Sequence, residues 1–179
     1  MNALLIVDVQ NDFCQGGALE VREANRIIPV INKISPKFPL VIASKDWHPR
    51  KSVHFDKWPI HCVRATSGAA FHPELDISKV TKLFLKGTGN SDDGYSAFES
   101  TNDDLDYYLR KMKVDKLYIA GLTTDYCVLN TAVDAAALGF STFVFPDAIR
   151  AVELQSGDAE SAFKAMRESG VTLVASSDY

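Results

Sequence analysis

The stretch YIAGLTTDYCVLNTAVDAAALG, residues 118–139, decides the fold, because an apolar strand in it leads directly into a helical pattern. Thr124 is the predicted N-cap of that helix, so Cys127 falls in the first turn, where backbone amides lack intrahelical acceptors. These amides and the positive end of the helix dipole favour a thiolate and can hold an oxyanion. We interpret Cys127 as a candidate nucleophile. A small buried core cysteine is the alternative that its position alone favours.

The same order of strand and helix recurs along the chain. Continuous apolar runs predict buried strands at Ala3–Val9, Leu40–Ser44, Leu83–Leu85, Leu117–Ala120, Thr142–Phe145 and Thr172–Ala175. Helical patterns lie between these runs at about residues 24–34, 102–112, 125–138 and 156–169. Such alternation predicts right-handed crossovers, and therefore a three-layer α/β/α fold around a six-stranded, mostly parallel sheet.

Length and composition narrow the class of protein. The 179 residues fit a single domain spanning residues 1–179. The net charge of −4 comes from scattered charges of both signs without a basic run, so we expect neither nucleic acid nor a membrane as a partner. The odd number of cysteines, three, argues against a disulfide framework. The segment Met1–Asp8 lacks the features of a secretory signal, so we expect a cytoplasmic protein. The sequence is compatible with a homo-oligomer.

One segment departs from the alternation. Residues 46–80 are irregular and carry all four histidines together with several prolines. Loops this long in compact domains are usually functional, and the aromatic residues here argue against disorder. Asp46 and His48 lie on one side of an extended chain, and His54 and His61 follow them. A carboxylate with two or three imidazoles suits a divalent transition metal, with Zn²⁺ or Fe²⁺ preferred to Mn²⁺. Capping or surface histidines are the alternative.

Two charged residues end predicted strands. Asp8 follows the run LLIV and Lys86 follows LFL, so both are expected at the carboxyl edge of the sheet, where sites in such folds lie. A partly desolvated aspartate suits a general base, and a lysine can pair with it and stabilise a thiolate. A capping aspartate and a surface lysine are the alternatives. Phe13, Trp58 and Tyr95 lie in predicted loops, where aromatic residues pack locally or form walls for a small aromatic ligand.

Six short motifs, spread over nearly the whole chain, are specific in combination although none is specific alone. They are DVQNDF at residues 8–13, ASKDWHP at 43–49, WPIHCV at 58–63, KG at 86–87, DGYSAF at 93–98 and GLTTDYCV at 121–128. Together they resemble the nicotinamidases (pyrazinamidases) among the isochorismatase-like cysteine hydrolases. The resemblance implies the isochorismatase-like hydrolase fold and hydrolysis of nicotinamide to nicotinate and ammonia through a cysteine thioester. It also implies deamidation of pyrazinamide and a role in NAD salvage.

The resemblance assigns roles to individual residues, and the first set carries out the reaction; we call it the chemical half of the site. The catalytic triad would consist of Asp8, Lys86 and Cys127. The oxyanion would be held by the backbone amides of Cys127 and Thr123, with a cis peptide bond before Thr123. Many relatives have alanine in place of Thr123, a change that a backbone donor tolerates.

The resemblance also implies a binding half. One divalent metal, Zn²⁺ first with Fe²⁺ or Mn²⁺ as alternatives, would be held by Asp46, His48 and His61. His54 would be a fourth ligand, because relatives carry either a ligating histidine or a serine near a bound water eight residues after the first ligand. The pyridine ring would lie between Phe13, Leu19, Trp58 and Tyr95.

Two other functions compete with this interpretation. Another amidase of the same superfamily, such as a carbamoyl or ureido hydrolase, keeps the aspartate, lysine and cysteine but generally lacks the metal loop, so the histidines argue against it. Relatives that cleave vinyl ethers lack the cysteine. A different class is a non-catalytic domain whose loop metal is structural. A structural site is closed by protein ligands, whereas a catalytic site leaves coordination positions open.

Overall fold

All six predicted strands and all four predicted helices are present in the computed structural model, which describes residues 1–179. The strands are β1 Asn2–Val7, β2 Leu40–Asp46, β3 Val80–Lys86, β4 Lys116–Leu122, β5 Ser141–Arg150 and β6 Thr172–Leu173. The α-helices are α1 Ile27–Ile34, α2 Leu105–Lys111, α3 Leu129–Ala137 and α4 Asp158–Glu168. No helix is both long and apolar enough to span a membrane.

The six strands form one sheet in the order β3-β2-β1-β4-β5-β6, and every neighbouring pair is parallel. The chain moves outward from β1 to β3 in one direction and from β4 to β6 in the other. The strand order therefore reverses between β1 and β4. Sheets of this kind bind ligands in the crevice at such a reversal, beyond the carboxyl ends of the strands. The predicted α/β/α fold is confirmed.

Apolar side chains cover both faces of the sheet. On one face α1 buries Ile27, Ile28, Ile31 and Ile34, a helical spacing that forms one apolar stripe. The other face is covered by α2, α3 and α4, through residues such as Leu105, Ala132 and Met166. Burying one isoleucine or leucine contributes about 1.5–3 kcal/mol. The central strands are therefore held from both sides, and their carboxyl ends are fixed in space.

Gly121 allows β4 to approach β1 at the reversal point. Its φ is +125°, and a Cβ atom there would lie 2.0 Å from the carbonyl oxygen of Val7. Any larger side chain would push the two central strands apart. The end of β1, which carries Asp8, and the end of β4, which leads to Cys127, are therefore adjacent.

The segment between β2 and β3, residues 47–79, is irregular, as the sequence predicts, apart from a short 3-10 helix at Val53–Asp56. Two isolated bridges tie it down. His48 pairs with Val63 within the segment, and Phe71 pairs with Gln10 beyond the end of β1. The segment thus folds back over the carboxyl edge of the sheet.

Candidate active site

Three side chains from different strands meet where the strand order reverses. Asp8 follows β1 and takes a left-handed φ of +50°, which is uncommon for a residue with a side chain. Lys86 is the last residue of β3, and Cys127 lies just after β4. A carboxylate oxygen of Asp8 and the Cys127 sulfur lie within 4.8 Å of each other. Asp8 and Lys86 are fully buried, and Cys127 is 6% exposed.

Lys86 connects the other groups of this cluster. Its Nζ lies 3.3 Å from Cys127 Sγ and donates to the Gly94 carbonyl at 2.7 Å and to Asp46 Oδ1. Nζ is also 2.7 Å from Asp8 Oδ2, an ion pair that is not aligned as a hydrogen bond. Asp8 Oδ1 accepts from Ser44 Oγ at 2.8 Å. Asp8 Oδ2 is therefore buried without an aligned donor and is free to accept a proton.

Burial and the neighbouring charges set the pKa values of this cluster. Burial raises the pKa of Asp8 above its usual value, although Lys86 opposes the shift. Burial also raises the pKa of the Cys127 thiol well above its ordinary value, with Asp46 and Asp8 adding to the effect and Lys86 opposing it. Burial alone would lower the pKa of Lys86, but the carboxylates of Asp46 and Asp8 raise it well above the usual value. Lys86 is therefore charged at neutral pH.

The prediction that helix amides favour the thiolate of Cys127 meets an opposing effect in the structure, because burial raises the pKa of the thiol well above its ordinary value. Burial thus favours the thiol form, and a base is needed to remove its proton. Asp8 and Asp46 each place a carboxylate oxygen within 4.8 Å of the sulfur, and Asp8 Oδ2 is buried without an aligned donor. The requirement for a general base thus follows from the burial of Cys127.

The turn that carries Cys127 differs from a simple capped helix. The first turn, Thr124–Val128, is a π-helix that continues into α3, and Thr123 is its N-cap without a side-chain capping bond. The prediction that Thr124 caps the helix is therefore wrong by one residue, because the wide turn already includes Thr124. The peptide bond Leu122–Thr123 is cis, as the family resemblance implies. π-Turns of this kind are frequent at functional sites.

A second group of side chains comes from residues 46–61. Asp46 Oδ2 lies 3.7 Å from His48 Nε2 and 3.8 Å from His61 Nε2. One ring nitrogen each of His48, His54 and His61 lies within 4.8 Å of the others. All four side chains are buried. The sequence-predicted ligands are thus brought together. His72 lies apart, with its Nε2 3.2 Å from Asn25 Nδ2.

Each of the three clustered histidines is oriented by its Nδ1 atom. His48 Nδ1 donates to the Gly87 carbonyl at 2.9 Å, and His61 Nδ1 donates to the Pro59 carbonyl at 2.7 Å. His54 Nδ1 is 3.0 Å from Asp92 Oδ1. Carbonyl and carboxylate oxygens only accept, so each Nδ1 carries a proton and Nε2 is the nitrogen that remains for a ligand.

These residues fit a divalent transition metal. His48 Nε2 is buried without a hydrogen-bond partner, an arrangement that costs free energy unless another group occupies it. Burial and the neighbouring imidazoles of His48 and His61 lower the pKa of His54 to about 4, so its ring is neutral at pH 7. Burial would raise the pKa of Asp46, but Lys86 and the two histidines hold it well below the usual range. Three imidazoles and one carboxylate are suitable ligands for Zn²⁺ or Fe²⁺.

Gln10 holds the backbone of Asp46 in place. Its side-chain oxygen accepts from the Asp46 amide at 2.8 Å, and its side-chain nitrogen donates to the Asp46 carbonyl at 2.8 Å. Gln10 is fully buried. One side chain thus satisfies both backbone groups of Asp46. The backbone is held in place, and the carboxylate extends from it between Lys86 and the histidines. The sequence motif contains Gln10, but nothing in it indicates this role.

Residues of both groups border one cleft. Cys127 and Thr123 line one side, and Asp46, His54 and His61 line another. The remaining walls are mostly apolar and include all four predicted ring-binding residues; they are formed by Phe13, Leu19, Trp58, Gly94, Tyr95, Tyr126 and Val152. Mostly apolar walls with a few polar groups are typical of sites that bind small ligands.

Known proteins resemble this chain along its whole length. The sequence profile of the isochorismatase domain matches residues 2–178. The chain belongs to the isochorismatase domain family. It is 38% identical over 190 residues to a nicotinamidase/pyrazinamidase of Mycobacterium tuberculosis, with 99% of this chain and 100% of the relative covered.

Two solved structures have the same fold. A nicotinamidase and pyrazinamidase of Acinetobacter baumanii superposes with a TM-score of 0.93 at 36% identity, covering 99% of this chain and 97% of that one. A pyrazinamidase of Pyrococcus horikoshii in complex with zinc gives a TM-score of 0.86 at 38% identity, covering 97% and 98%. The predicted family membership and fold are confirmed.

Two side chains that line the cleft of this isochorismatase domain, besides the backbone of Gly94, are not among the predicted site residues. Tyr126 packs edge-on against Trp58, with ring centroids 4.8 Å apart. Its position beside Cys127 is a signal that could have identified it. Val152 lies beyond β5, and Asp125 holds it by accepting from the Val152 and Glu153 amides at 3.0 and 2.8 Å. No local sequence pattern marks Val152, because only the fold brings it to the cleft.

Proposed function

We propose that this member of the isochorismatase domain family is a nicotinamidase, which hydrolyses nicotinamide to nicotinate and ammonia and deamidates pyrazinamide. One observation carries the proposal. A thiol with a neighbouring carboxylate and lysine shares a single apolar cleft with a converging set of histidines. Relatives with 36–38% identity over nearly the whole chain are named as nicotinamidases and pyrazinamidases. The expected biological role is NAD salvage.

The reaction would begin at Cys127. The carboxylate of Asp8 takes the proton from the thiol, and the sulfur attacks the carboxamide carbon of nicotinamide. The carbonyl oxygen becomes an oxyanion, which we assign to the backbone amides of Thr123 and Cys127. Lys86 stays charged and stabilises the thiolate of Cys127 as the thiolate forms. This attraction offsets the effect of burial, which disfavours the thiolate.

The second half of the reaction returns the proton and adds water. Asp8 gives its proton to the departing amine, so ammonia leaves and a thioester remains on Cys127. Asp8 then takes a proton from a water molecule, the oxygen attacks the thioester carbon, and nicotinate is released. The sulfur regains the proton from Asp8. The sum is nicotinamide and water to nicotinate and ammonia, with the enzyme unchanged.

The ring would be held by the binding half of the cleft. We propose Asp46, His48, His54 and His61 as ligands of one divalent transition metal, Zn²⁺ first and Fe²⁺ or Mn²⁺ as alternatives. When bound, such a metal supplies an electron-pair acceptor for the ring nitrogen. The apolar walls enclose the faces and edges of the ring, through Phe13, Leu19, Trp58 and Tyr95. Together these contacts would keep the carboxamide carbon near Cys127.

Ammonia release from three amides tests the proposal. The metal-loaded protein is expected to cleave nicotinamide and pyrazinamide, and to cleave benzamide at least ~10-fold more slowly, because benzamide lacks the ring nitrogen. Treatment with a chelator is expected to remove most of that preference. Failure to release ammonia from nicotinamide would contradict the function. Equal turnover of benzamide and nicotinamide would instead contradict the positioning role of the ring nitrogen alone.

Two alternatives give different results in the same assay. A carbamoyl or ureido hydrolase would release ammonia from an N-carbamoyl amino acid faster than from nicotinamide, with no dependence on chelation. A non-catalytic metal domain would bind Zn²⁺ and release no ammonia from any of these compounds.

A further inference from the structure

Asp92 lies in the segment between β3 and α2, and its carboxylate receives three side-chain donors. Oδ1 accepts from His54 Nδ1 at 3.0 Å and from Tyr95 Oη at 2.6 Å. Oδ2 accepts from Lys57 Nζ. One carboxylate thus acts as the acceptor for all three groups.

The hydrogen bond to Asp92 distinguishes His54 from His48 and His61. His48 and His61 donate to backbone carbonyls, whereas His54 donates to a side chain that lies 38 residues away in sequence. The His54 tautomer and ring orientation therefore depend on Asp92. A histidine whose Nδ1 proton is held by a carboxylate presents Nε2 as a more basic ligand.

The same carboxylate oxygen also fixes two walls of the cleft. Tyr95 Oη donates to Asp92 and accepts from Trp58 Nε1 at 3.0 Å. The polar edges of both rings are thus used within one chain of hydrogen bonds, and their faces are left for the cleft that they line. An aromatic wall held through its polar group keeps a fixed distance from the opposite wall.

We propose that Asp92 is a positioning residue with two targets: it orients His54 as a metal ligand, and it sets the Trp58 and Tyr95 walls for the ring. This inference rests on the proposed function. Metal affinity and ring affinity would then share one side chain that touches neither metal nor substrate.

A role in overall stability does not explain this arrangement. Lys57 is 67% exposed and Asp92 is 23% exposed, and an ion pair at such a surface contributes about 0–1 kcal/mol. The contacts that distinguish Asp92 all lead into the cleft. Its removal is therefore expected to change binding more than folding.

The test compares Asp92→Asn with Asp93→Asn in the full-length protein. Asp93 is the exposed neighbour, so the control removes the same charge from the same segment. Zn²⁺ affinity is measured by titrating the metal-free protein against a chromophoric chelator, which requires no turnover. Asp92→Asn is expected to bind Zn²⁺ ~10–100-fold more weakly, and Asp93→Asn to match the wild type. A Zn²⁺ affinity of Asp92→Asn within twofold of the wild type would overturn the His54 part.

The ring part is read from the kinetics with nicotinamide at saturating Zn²⁺. Asp92→Asn is expected to raise KM severalfold, and so is Tyr95→Phe, which removes only the hydroxyl. Tyr95→Phe should leave Zn²⁺ affinity within twofold of the wild type. A partly unfolded population would lower apparent kcat without changing KM or the Zn²⁺ affinity of the folded fraction. An unchanged KM in Asp92→Asn would overturn the shared role.

The proposed function and the positioning role of Asp92 can be refuted independently of each other. If the wild-type protein released no ammonia from nicotinamide, the proposed function would fail, while the Zn²⁺ titration would still decide whether Asp92 orients His54. Asp92→Glu, which restores the charge, is expected to recover part of the Zn²⁺ affinity. Equal weakening in Asp92→Glu and Asp92→Asn would show that the charge is not what matters and would contradict the proposal.

Discussion

The two halves of the cleft are built in different ways. Asp8, Lys86 and Cys127 lie at or just beyond the ends of β1, β3 and β4, so the sheet itself positions them. The histidines come from the irregular residues 47–79 and depend on individual hydrogen bonds to Gly87, Pro59 and Asp92. The positions of Asp8, Lys86 and Cys127 therefore depend on the whole sheet. The orientation of each histidine depends on a single hydrogen bond, which one substitution can remove.

Lys86 joins the two halves. It contacts Asp8 and Cys127 on one side and Asp46 on the other. The proposed metal ligand Asp46 and the proposed base Asp8 thus share one buried cation. Substitutions on either side of Lys86 should separate chemistry from binding, whereas substitution of Lys86 itself should affect both.

The largest expected effect is on the chemical half alone. Cys127→Ser should lower the turnover of nicotinamide by ~10³-fold or more, because a hydroxyl is a far weaker nucleophile than a thiolate. Zn²⁺ affinity and the melting temperature should stay close to wild type. Cys14→Ser, a buried thiol outside the cleft, is the control and should retain most turnover. Activity of Cys127→Ser within tenfold of wild type would rule out the nucleophile.

Lys86→Met should damage both halves. The substitution leaves Asp8 and Asp46 buried without their cation, which should cost about 3–5 kcal/mol of stability in denaturant unfolding. Lys86 lowers the pKa of Cys127, so its loss should move the onset of Cys127 alkylation by iodoacetamide to higher pH. An onset at the same pH in both proteins would show that Lys86 does not tune the thiol.

His48→Ala should break the binding half while the sheet stays intact. Zn²⁺ affinity is expected to fall more than ~100-fold, since the loss of a ligand exceeds the 10–100-fold effect of an outer partner. Limited proteolysis should then cut within residues 47–79. His72→Ala provides the control, because His72 lies outside the cluster. Retention of tight Zn²⁺ binding by His48→Ala would contradict the ligand assignment.

The smallest expected effect concerns the base. The Ser44 hydroxyl donates to Asp8 and stabilises its charged form, which lowers the pKa of Asp8. Ser44→Ala should therefore raise that pKa further, so the base form is lost at a higher pH as the solution is acidified. The acidic limb of kcat/KM should move up by about 0.7 pH unit, the equivalent of one hydrogen bond of about 1 kcal/mol. Ser35→Ala, a buried hydroxyl distant from the cleft, should leave the limb unmoved.

The sequence predicted the members of both halves, but not the side chains that hold the binding half in place. The end of an apolar strand and the first turn of a helix are local patterns, and a parallel sheet brings such ends together. The histidines were recognisable as a set, but their partners were not. Gln10 and Asp92 act on residues 36 and 38 positions away, and no periodicity connects them.

The sequence by itself determined the strand and helix order, the parallel sheet, the family, and which side chains could carry chemistry. These properties follow from hydrophobic periodicity and from motifs that are local in the chain. The tertiary structure alone decided that burial raises the pKa of the Cys127 thiol, that Lys86 bridges Asp8 to Asp46, and that Val152 lines the cleft. Desolvation and charge pairing depend on distances between residues remote in sequence, and these distances exist only after the chain has folded.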